Sequence, residues 1–510
     1  MIDAADGLVS RFAALASAEP ARVFARFDHA TTTFGALHRR SDEVASALRA
    51  RAIASGDRVA VMLRNSEAAL AVLYGLAKAG VTWVPVNVQL RGDNLRYVLD
   101  HSEPCLVIAD DDLTAVIIDS GTAARCIVTV GEFLAASRAD VAFSEAAPQA
   151  DDLFAIMYTS GTTGPPKGVM VTHRMLLLAG EAVARVSLAR DGDVFFMWEP
   201  LYHIGGAQLL VLPLLRRVIL SMVGRFSASR FWSDVRLHGA THIHFLGGIL
   251  RMLLKQPPGP LDRAHGARIA WGGGCPADVW RPFQERFGVE IRECYGMTEA
   301  SSVTTYNDTG LVGSVGQPLP WFTVSVRDEP GEHVAPGARG EIVVRTTLPG
   351  ALTNGYFRNP EASARALRGG ALHTGDLGSL DAAGNLYFLG RTTESVRCKG
   401  ENVSAWEVEH VAAAHPAVEE CAMIGVAADI GEQDIKLFVR PRPNHVIEPG
   451  HLSRWLSERL APFQNPRYIS VVEAFERTPS LRIMKHRLSR DLADCFDRLR
   501  PPSHGETEVS

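Results

Sequence analysis

Residues 56–88 run GDRVAVML, then SEAALAVLYGLAKAG, then VTWVPVNV, with two residues between the first two segments and none before the third. Two short apolar runs flank a stretch with helical periodicity, and this rhythm admits few folds. Strands joined by a crossover helix lie parallel in one sheet, and helices must cover that sheet on both faces. THIHFLG (241–247) leads into another helical pattern, and ARIAWGGG (267–274) ends in a glycine turn. The expected fold class is therefore α/β, with a large N-terminal domain of doubly wound sheets whose ligands gather outside the carboxyl ends of the strands.

The pattern changes from about residue 311. VGSVGQPLP, FTVSVRDEPGE, GARGEIVVR and GNLYFLGR are short strand patterns broken by Gly and Pro, which predict a small β-rich subdomain over about 311–390. Beyond Gly390-Arg391, a helix (VSAWEVEHVAAAHP), two strands (AMIGVA, DIKLFVRPR) and a second helix (HLSRWLSERLAP) predict a small α+β domain. The organisation expected is a large domain over 1–390, a small C-terminal domain over 391–497 and a polar, disordered tail over 498–510.

At 510 residues the chain exceeds what one core holds. A formal charge of −5 provides no basic face for nucleic acid. No integral membrane segment is expected, because LLVLPLL (209–215) is too short to span and runs into Arg216-Arg217. The N-terminus MIDAADGLVSRF carries Asp3 and Asp6 where a secretory signal needs positive charge, so the default localisation is cytoplasmic. Seven cysteines at irregular spacing, without C-x-x-C, point to reduced thiols.

Residues 158–169 read YTSGTTGPPKGV. Close-spaced glycines let backbone N–H groups turn toward phosphate oxygens, Thr159, Ser160, Thr162 and Thr163 add hydroxyls, and Lys167 adds a mobile cation. The lysine follows Pro165-Pro166, so this is no Walker loop, yet it is built to hold a polyphosphate. Four more segments follow in order: PLYH (200–203), YGMTE (295–299), HTGDLG (373–378) and GRTTESVRCKGENVSAWEVE (390–409).

With the loop, these segments resemble the adenylate-forming enzymes, which include acyl-CoA synthetases, peptide-synthetase adenylation domains and beetle luciferases. The resemblance spans nearly the whole chain. It implies ATP, Mg2+ and CoA acting on a small or medium carboxylic acid, with Ser160, Gly161, Thr162, Thr163 and Gly164 around the phosphates and Lys167 as a catalytic cation. Glu299 matches the magnesium-bridging glutamate, Thr298 the donor to the α-phosphate, and Tyr295 with Gly296 the adenine edge. Gly273 and Gly274 match the adenine-side turn. Asp376 matches the ribose carboxylate, and Arg391 a second ribose contact. His203 matches the histidine at the acyl pocket. Lys399 and Gly400 match a loop that lines the pantetheine channel, and Arg91 offers a contact to the CoA nucleotide.

FSASRFW (226–232), QPPG (256–259), LTNGYFRNPEASARAL (352–367) and KGENVSAWEVEHVAAAHP (399–416) are most similar to the bacterial carnitine/crotonobetaine-CoA ligase group. These are scaffold and hinge segments and say little about the acid. Trp198, Tyr202 and Trp271 border the expected acyl site, with Glu199 beside them. They make either an aromatic cage for a quaternary ammonium, with Glu199 as its anion, or a slot for a medium-chain, cyclic or aryl acid with Glu199 turned away. The slot is the expectation.

Two positions depart from the family. Thr393 stands where relatives carry Asp or Lys at the interdomain hinge. Thr478-Pro479-Ser480-Leu481-Arg482 stands where they carry T-P-S-G-K, so Arg482 replaces the lysine that bridges carboxylate and α-phosphate, with Lys485 three residues on. Arg482 and the Lys399-Gly400 loop belong to different half-reactions, which implies a mobile C-terminal domain. A carrier-protein thiol in place of CoA, a homodimer, and a degenerate homologue that binds acyl-AMP without turnover stay open.

Overall fold

The computed structural model describes residues 7–28, 30–136, 143–159, 165–246, 248–328, 331–391, 395–398, 401–428, 433–460, 462, 464–477, 483–493 and 495–499. The chain divides into two compact units. One comprises Met1–Ser325, Val343–His373 and Asp381–Leu386, and the other Val326–Ile342, Thr374–Leu380 and Tyr387–Ser510.

The first unit contains two largely parallel sheets. A short antiparallel pair, β1 (Val23–Arg26) and β2 (Thr31–Thr33), edges the sheet described second. The next six strands form one sheet: β3 (Arg58–Met62), β4 (Thr82–Pro85), β5 (Leu106–Ala109), β6 (Ile127–Thr129), β7 (Leu153–Thr159) and β8 (Lys167–Thr172). Their order is β6-β5-β3-β4-β7-β8, parallel as far as β7 and antiparallel between β7 and β8. The second sheet adds β9 (Val194–Met197), β10 (Ile219–Met222), β11 (His242–Leu246), β12 (Ile269–Gly273), β13 (Glu290–Tyr295), β14 (Thr305–Tyr306) and β15 (Gln317–Pro318). Its order is β15-β14-β13-β12-β11-β9-β10-β1-β2, parallel from β13 through β1. These sheets are the doubly wound α/β architecture that the strand-helix-strand rhythm predicts.

Two helices show how closely the layers fit. Ser66 starts the helix Glu67–Lys78 by accepting from the Ala69 N–H, and every residue from Ala69 to Lys78 is buried, so the helix is apolar on all faces for a packing reason. Tyr74 on this helix packs at a tilt against Phe12, ring centres 4.3 Å apart, and donates its hydroxyl to the Leu210 carbonyl at 2.6 Å. A Cβ at Gly75 would lie 2.3 Å from Val44 Cγ1 on the neighbouring helix Phe34–Ala50, so that crossing requires a residue with no side chain. In the helix His173–Val186, a Cβ at Gly180 would sit 2.4 Å from Val211 Cγ2.

The β-rich stretch is a five-stranded sheet of β16 (Phe322–Arg327), β17 (Arg339–Thr346), β18 (Leu367–Arg368), β19 (Ala371–Leu380) and β20 (Leu386–Arg391). One sequence expectation fails here. VGSVGQPLP contributes only Gln317–Pro318 as strand, because Gly313 and Gly316 take left-handed φ of 85° and 78° and turn the chain. HTGDLG forms the middle of β19, where Gly375 at φ 69° bends a continuous strand.

In the second unit β21 (Ser395–Cys398) pairs with β22 (Glu401–Ser404). A four-stranded sheet follows, of β23 (Val418–Ala427), β24 (Gln433–Pro441), β25 (Tyr468–Val471) and β26 (Phe496–Asp497). Its two faces alternate strictly. Met423, Ile435, Leu437 and Val439 pack in one cluster with Val408 and Ala412 of the helix Ala405–Ala413 and Leu452 and Leu456 of the helix Pro449–Ser457. Ala422, Ile424, Val426 and Phe438 face the other way, onto Tyr468 and Phe475. Among the described residues no helix is long and apolar enough to cross a membrane, and no disulfide joins the cysteines.

The Gly75 contact gives a test of this packing. Gly75→Ala should destabilise the protein by about 1–3 kcal/mol through overpacking, and Val44→Ala in the same chain should recover much of the loss. Urea unfolding of the two single variants and the double variant checks it; additive losses would contradict the contact.

Candidate active site

The lysine of the phosphate-loop motif begins β8, directly across the hairpin from Thr159. The intervening Ser160, Gly161, Thr162, Thr163 and Gly164 lie outside the described residues. Its described flanks, Thr159 and Lys167, lie on antiparallel strands, and the helix His173–Val186 starts at the far end of β8. The outer edge of β8 is paired by residues 353–357. Met170 N–H donates to Gly355 O at 3.1 Å, Phe357 N–H donates to Gly168 O at 2.8 Å, and Val169 bridges Tyr356.

That segment assembles the polar centre. Thr353 N–H donates to Glu299 O at 2.8 Å, and the Tyr356 hydroxyl donates to Glu299 Oε1 at 2.9 Å. Lys167 Nζ lies 5.2 Å from the centre of the Tyr356 ring. Glu299 is 6% exposed. Tyr356 is a site residue that sequence reasoning missed. It sits inside the LTNGYFRNPEASARAL scaffold segment, and only the pairing with β8 brings it to the motifs.

Glu299 and Thr298 occupy one 3-10 turn, Thr298–Ala300, just beyond Tyr295 at the end of β13. A Cβ at Gly296 would lie 1.9 Å from Ser302 O, so YGMTE needs glycine there. Ser301 and Ser302 both adopt left-handed φ, 50° and 70°. Such strain in consecutive non-glycine residues persists where the surroundings enforce it. Here Ser301 Oγ donates to Ala351 O and Ser302 Oγ to Gln208 Oε1, each at 2.7 Å.

The adjacent turn at the end of β12 contains Gly273 and Gly274, and a buried carboxyl holds it. Glu293 Oε1 accepts from Gly274 N–H at 2.9 Å and Cys275 N–H at 2.8 Å. Burial pushes the Glu293 carboxyl up to about 8, against the opposing pull of the same two hydrogen bonds. Sequence reasoning missed Glu293 too, because β13 reads EIRECY and nothing in that string separates Glu293 from its charged neighbours Glu290 and Arg292.

Trp198, Tyr202 and Trp271 are all buried. His244 of β11 is in register with Trp271 of β12, their rings 4.2 Å apart. Trp198 Nε1 donates to His244 O at 2.9 Å, and Glu199 Oε2 lies 3.0 Å from His244 Nδ1. Tyr202 packs edge-on at 4.8 Å against His203, which begins the helix Ile204–Ala207, and burial raises the Tyr202 hydroxyl to about 12. Gln208 accepts from Ser302 and donates to Gly205 O at 3.0 Å, linking this loop to the Glu299 turn.

In the second unit, Arg391 Nε lies 2.8 Å from Asp376 Oδ1, and Asp376 is 2% exposed. Lys399, Gly400, Thr393 and Arg482 lie outside the described residues. Lys485 Nζ is 2.9 Å from Glu409 Oε1. Arg91 turns its guanidinium back onto Val88 O and Leu90 O at 2.9 and 2.7 Å.

Glu293 generates a pH prediction. Its folded value of about 8 exceeds its ordinary 4.5, so its contribution to stability is complete below about 4.5 and is lost as pH rises toward 8. Glu293→Gln removes this titration. The variant should gain on the wild type by up to about 1.4 kcal/mol per pH unit through that window. Urea unfolding at pH 5, 6.5 and 8 checks it, and parallel stability curves would contradict the raised value.

Residues 12–357 match the AMP-binding enzyme family, and residues 407–481 match the AMP-binding enzyme C-terminal domain. The crotonobetaine/carnitine-CoA ligase of Salmonella paratyphi A is 29% identical over 485 residues, covering 89% of this chain and 92% of the ligase. The o-succinylbenzoate CoA synthetase of Bacillus subtilis, solved with its acyl-adenylate, superposes with a TM-score of 0.83 at 25% identity, over 94% of this chain and 97% of the synthetase. ATP-bound MatB from Rhodopseudomonas palustris superposes at 0.84 and 27% identity, with the same coverage of both chains. The chain belongs to the AMP-binding enzyme family, the ATP-using adenylate-forming enzymes, and is an AMP-forming acid-thiol ligase.

Proposed function

We propose that the protein is an ATP-dependent acyl-CoA ligase acting on a small or medium carboxylic acid. The observation that carries this reading is the junction of half-buried Lys167 with buried Tyr356 and Glu299, where one phenol has an ammonium over its ring and a carboxylate on its hydroxyl. In the first half-reaction a carboxylate oxygen attacks the α-phosphorus, the bond to the bridging oxygen breaks, and pyrophosphate leaves with the electron pair. Two anions approach each other, so the step depends on fixed positive charge and donors. Thr159 and Ser160 through Gly164 hold the phosphates, Lys167 neutralises them, and Thr298 donates to the α-phosphate. Tyr295, Gly296, Gly273 and Gly274 flank adenine, and Asp376, oriented by Arg391, accepts from the ribose hydroxyls. In the second half-reaction the CoA sulfur attacks the acyl carbon and AMP leaves, with Lys399 and Gly400 lining the thiol's path.

Glu299 fits magnesium. Among the described residues no three His, Cys, Asp or Glu cluster as a metal site, and one carboxylate completed by phosphate oxygens and water is the donor set that ion takes beside a nucleotide. Bound there, it supplies charge neutralisation for the departing pyrophosphate.

Arg482 serves as the second cation of the first half-reaction. Lys485 is opposed by Glu409 at 2.9 Å, which favours Arg482 over its neighbour for that task. The acid pocket is the slot walled by Trp198, Tyr202 and Trp271. A quaternary-ammonium cage needs an unopposed anion, and Glu199 is turned to His244.

Pyrophosphate release with and without CoA tests the reading, using crotonobetaine, o-succinylbenzoate, benzoate and straight-chain acids. At least one acid should release pyrophosphate and yield AMP and its CoA thioester, and Glu299→Gln should abolish the release while the protein stays folded. Arg482→Ala should slow acyl-AMP formation about a hundredfold, near 2.7 kcal/mol, and leave conversion of supplied acyl-AMP to acyl-CoA near wild type. Undiminished acyl-AMP formation by Arg482→Ala, with loss in Lys485→Ala, would transfer the role to Lys485.

A further inference from the structure

Asn65 sits in the turn between β3 and the helix Glu67–Lys78, in the first sheet, yet its side chain reaches the loop that leaves β9 in the second. Nδ2 donates to Glu199 O at 2.8 Å, and Oδ1 accepts from Leu201 N–H at 3.1 Å. The two groups contacted, a carbonyl and an N–H, fix which end of the amide is oxygen. They flank Pro200, which has no N–H of its own, so the side-chain amide engages this backbone as a neighbouring strand would. No other side chain of this size carries both a donor and an acceptor in that geometry.

The clamp is itself anchored. Arg64, one residue before, binds Asp110 at 2.8 Å and Asp112 at 2.7 Å. Ser66, one residue after, caps the following helix through Ala69 N–H at 3.1 Å. The loop is fixed on its other side by Trp198 and Glu199 against His244. Tyr202 and His203 are the next two residues along it.

We propose that Asn65 is a positioning residue for the carboxylic-acid side of the reaction, setting the loop that presents Tyr202 and His203. The inference rests on the ligase reading above. The hydrogen bonds of the clamp end on Glu199 and Leu201, while the link from this loop to the Glu299 turn runs separately through Gln208 and Ser302, so loss of the clamp should fall on the acid and spare ATP.

Asn65→Asp keeps the acceptor for Leu201 N–H but sets an oxygen against Glu199 O, and Asn65→Ser is too short to bridge either group. Both are compared with wild type and with Gly75→Ala, which strains the same unit elsewhere. In pyrophosphate-release assays with the best acid of the panel, each Asn65 variant should raise the KM for the acid about tenfold or more, as expected for loss of at least one part-buried hydrogen bond, and leave the KM for ATP within about twofold. Amide hydrogen exchange should quicken at 198–206 and not at 167–186. Gly75→Ala should show neither effect. Acid and ATP constants that rise together, or unchanged exchange at 198–206 in whichever Asn65 variant folds, overturn the positioning role and leave the ligase reading standing. A wild type inert with every acid overturns the ligase reading, and this role with it.

Discussion

The pairing of residues 353–357 along the outer edge of β8 is the contact on which the candidate site depends. It brings the Tyr356 hydroxyl within 2.9 Å of Glu299 and places its ring 5.2 Å from Lys167 Nζ. A buried carboxylate is costly unless hydrogen-bonded, and a lysine near it loses mobility only where something holds it. One phenol addresses both groups, donating through its hydroxyl and offering its face to the ammonium. The carboxylate and the cation thus stay close without collapsing into a direct ion pair, which leaves each with capacity for a ligand of opposite charge.

The remaining first-unit groups follow from parallel strand geometry. β9, β11, β12 and β13 are hydrogen-bonded neighbours in register, with His244 opposite Trp271 and Gly272 opposite Glu293. Their carboxyl ends deliver the Trp198–His203 loop, His244, the Gly273-Gly274 turn and the Tyr295–Glu299 segment to one end of the sheet, at the strand spacing of about 4.8 Å. Buried carboxyls stiffen this end. Glu293 ties down the glycine turn through two backbone N–H groups, and Glu199 faces His244 at 3.0 Å.

The fold was legible because its signals are local. The helical period between two apolar runs and the glycine after each strand announce doubly wound sheets without reference to distant residues. The motif segments stood out because five of them follow one another in the order that the family carries them. Tyr356, Glu293 and Asn65 did not, since each acts through partners far along the chain that only strand pairing supplies. In HTGDLG the pairing of β19 with its neighbours outweighs the local preference of Gly-Asp for a turn and leaves only the bend at Gly375.

The central claim is that the acid is activated through its own oxygen on the α-phosphorus. A carboxylic acid labelled with 18O in both oxygens, turned over with ATP and CoA and followed by mass spectrometry of the nucleotide product, tests it most directly. Attack on the α-phosphorus leaves one labelled oxygen bridging acyl group and phosphorus, and thiol attack at the acyl carbon then releases AMP carrying that oxygen. One 18O per AMP is the expected result. Unlabelled AMP, or ADP with the label in inorganic phosphate, would contradict the account.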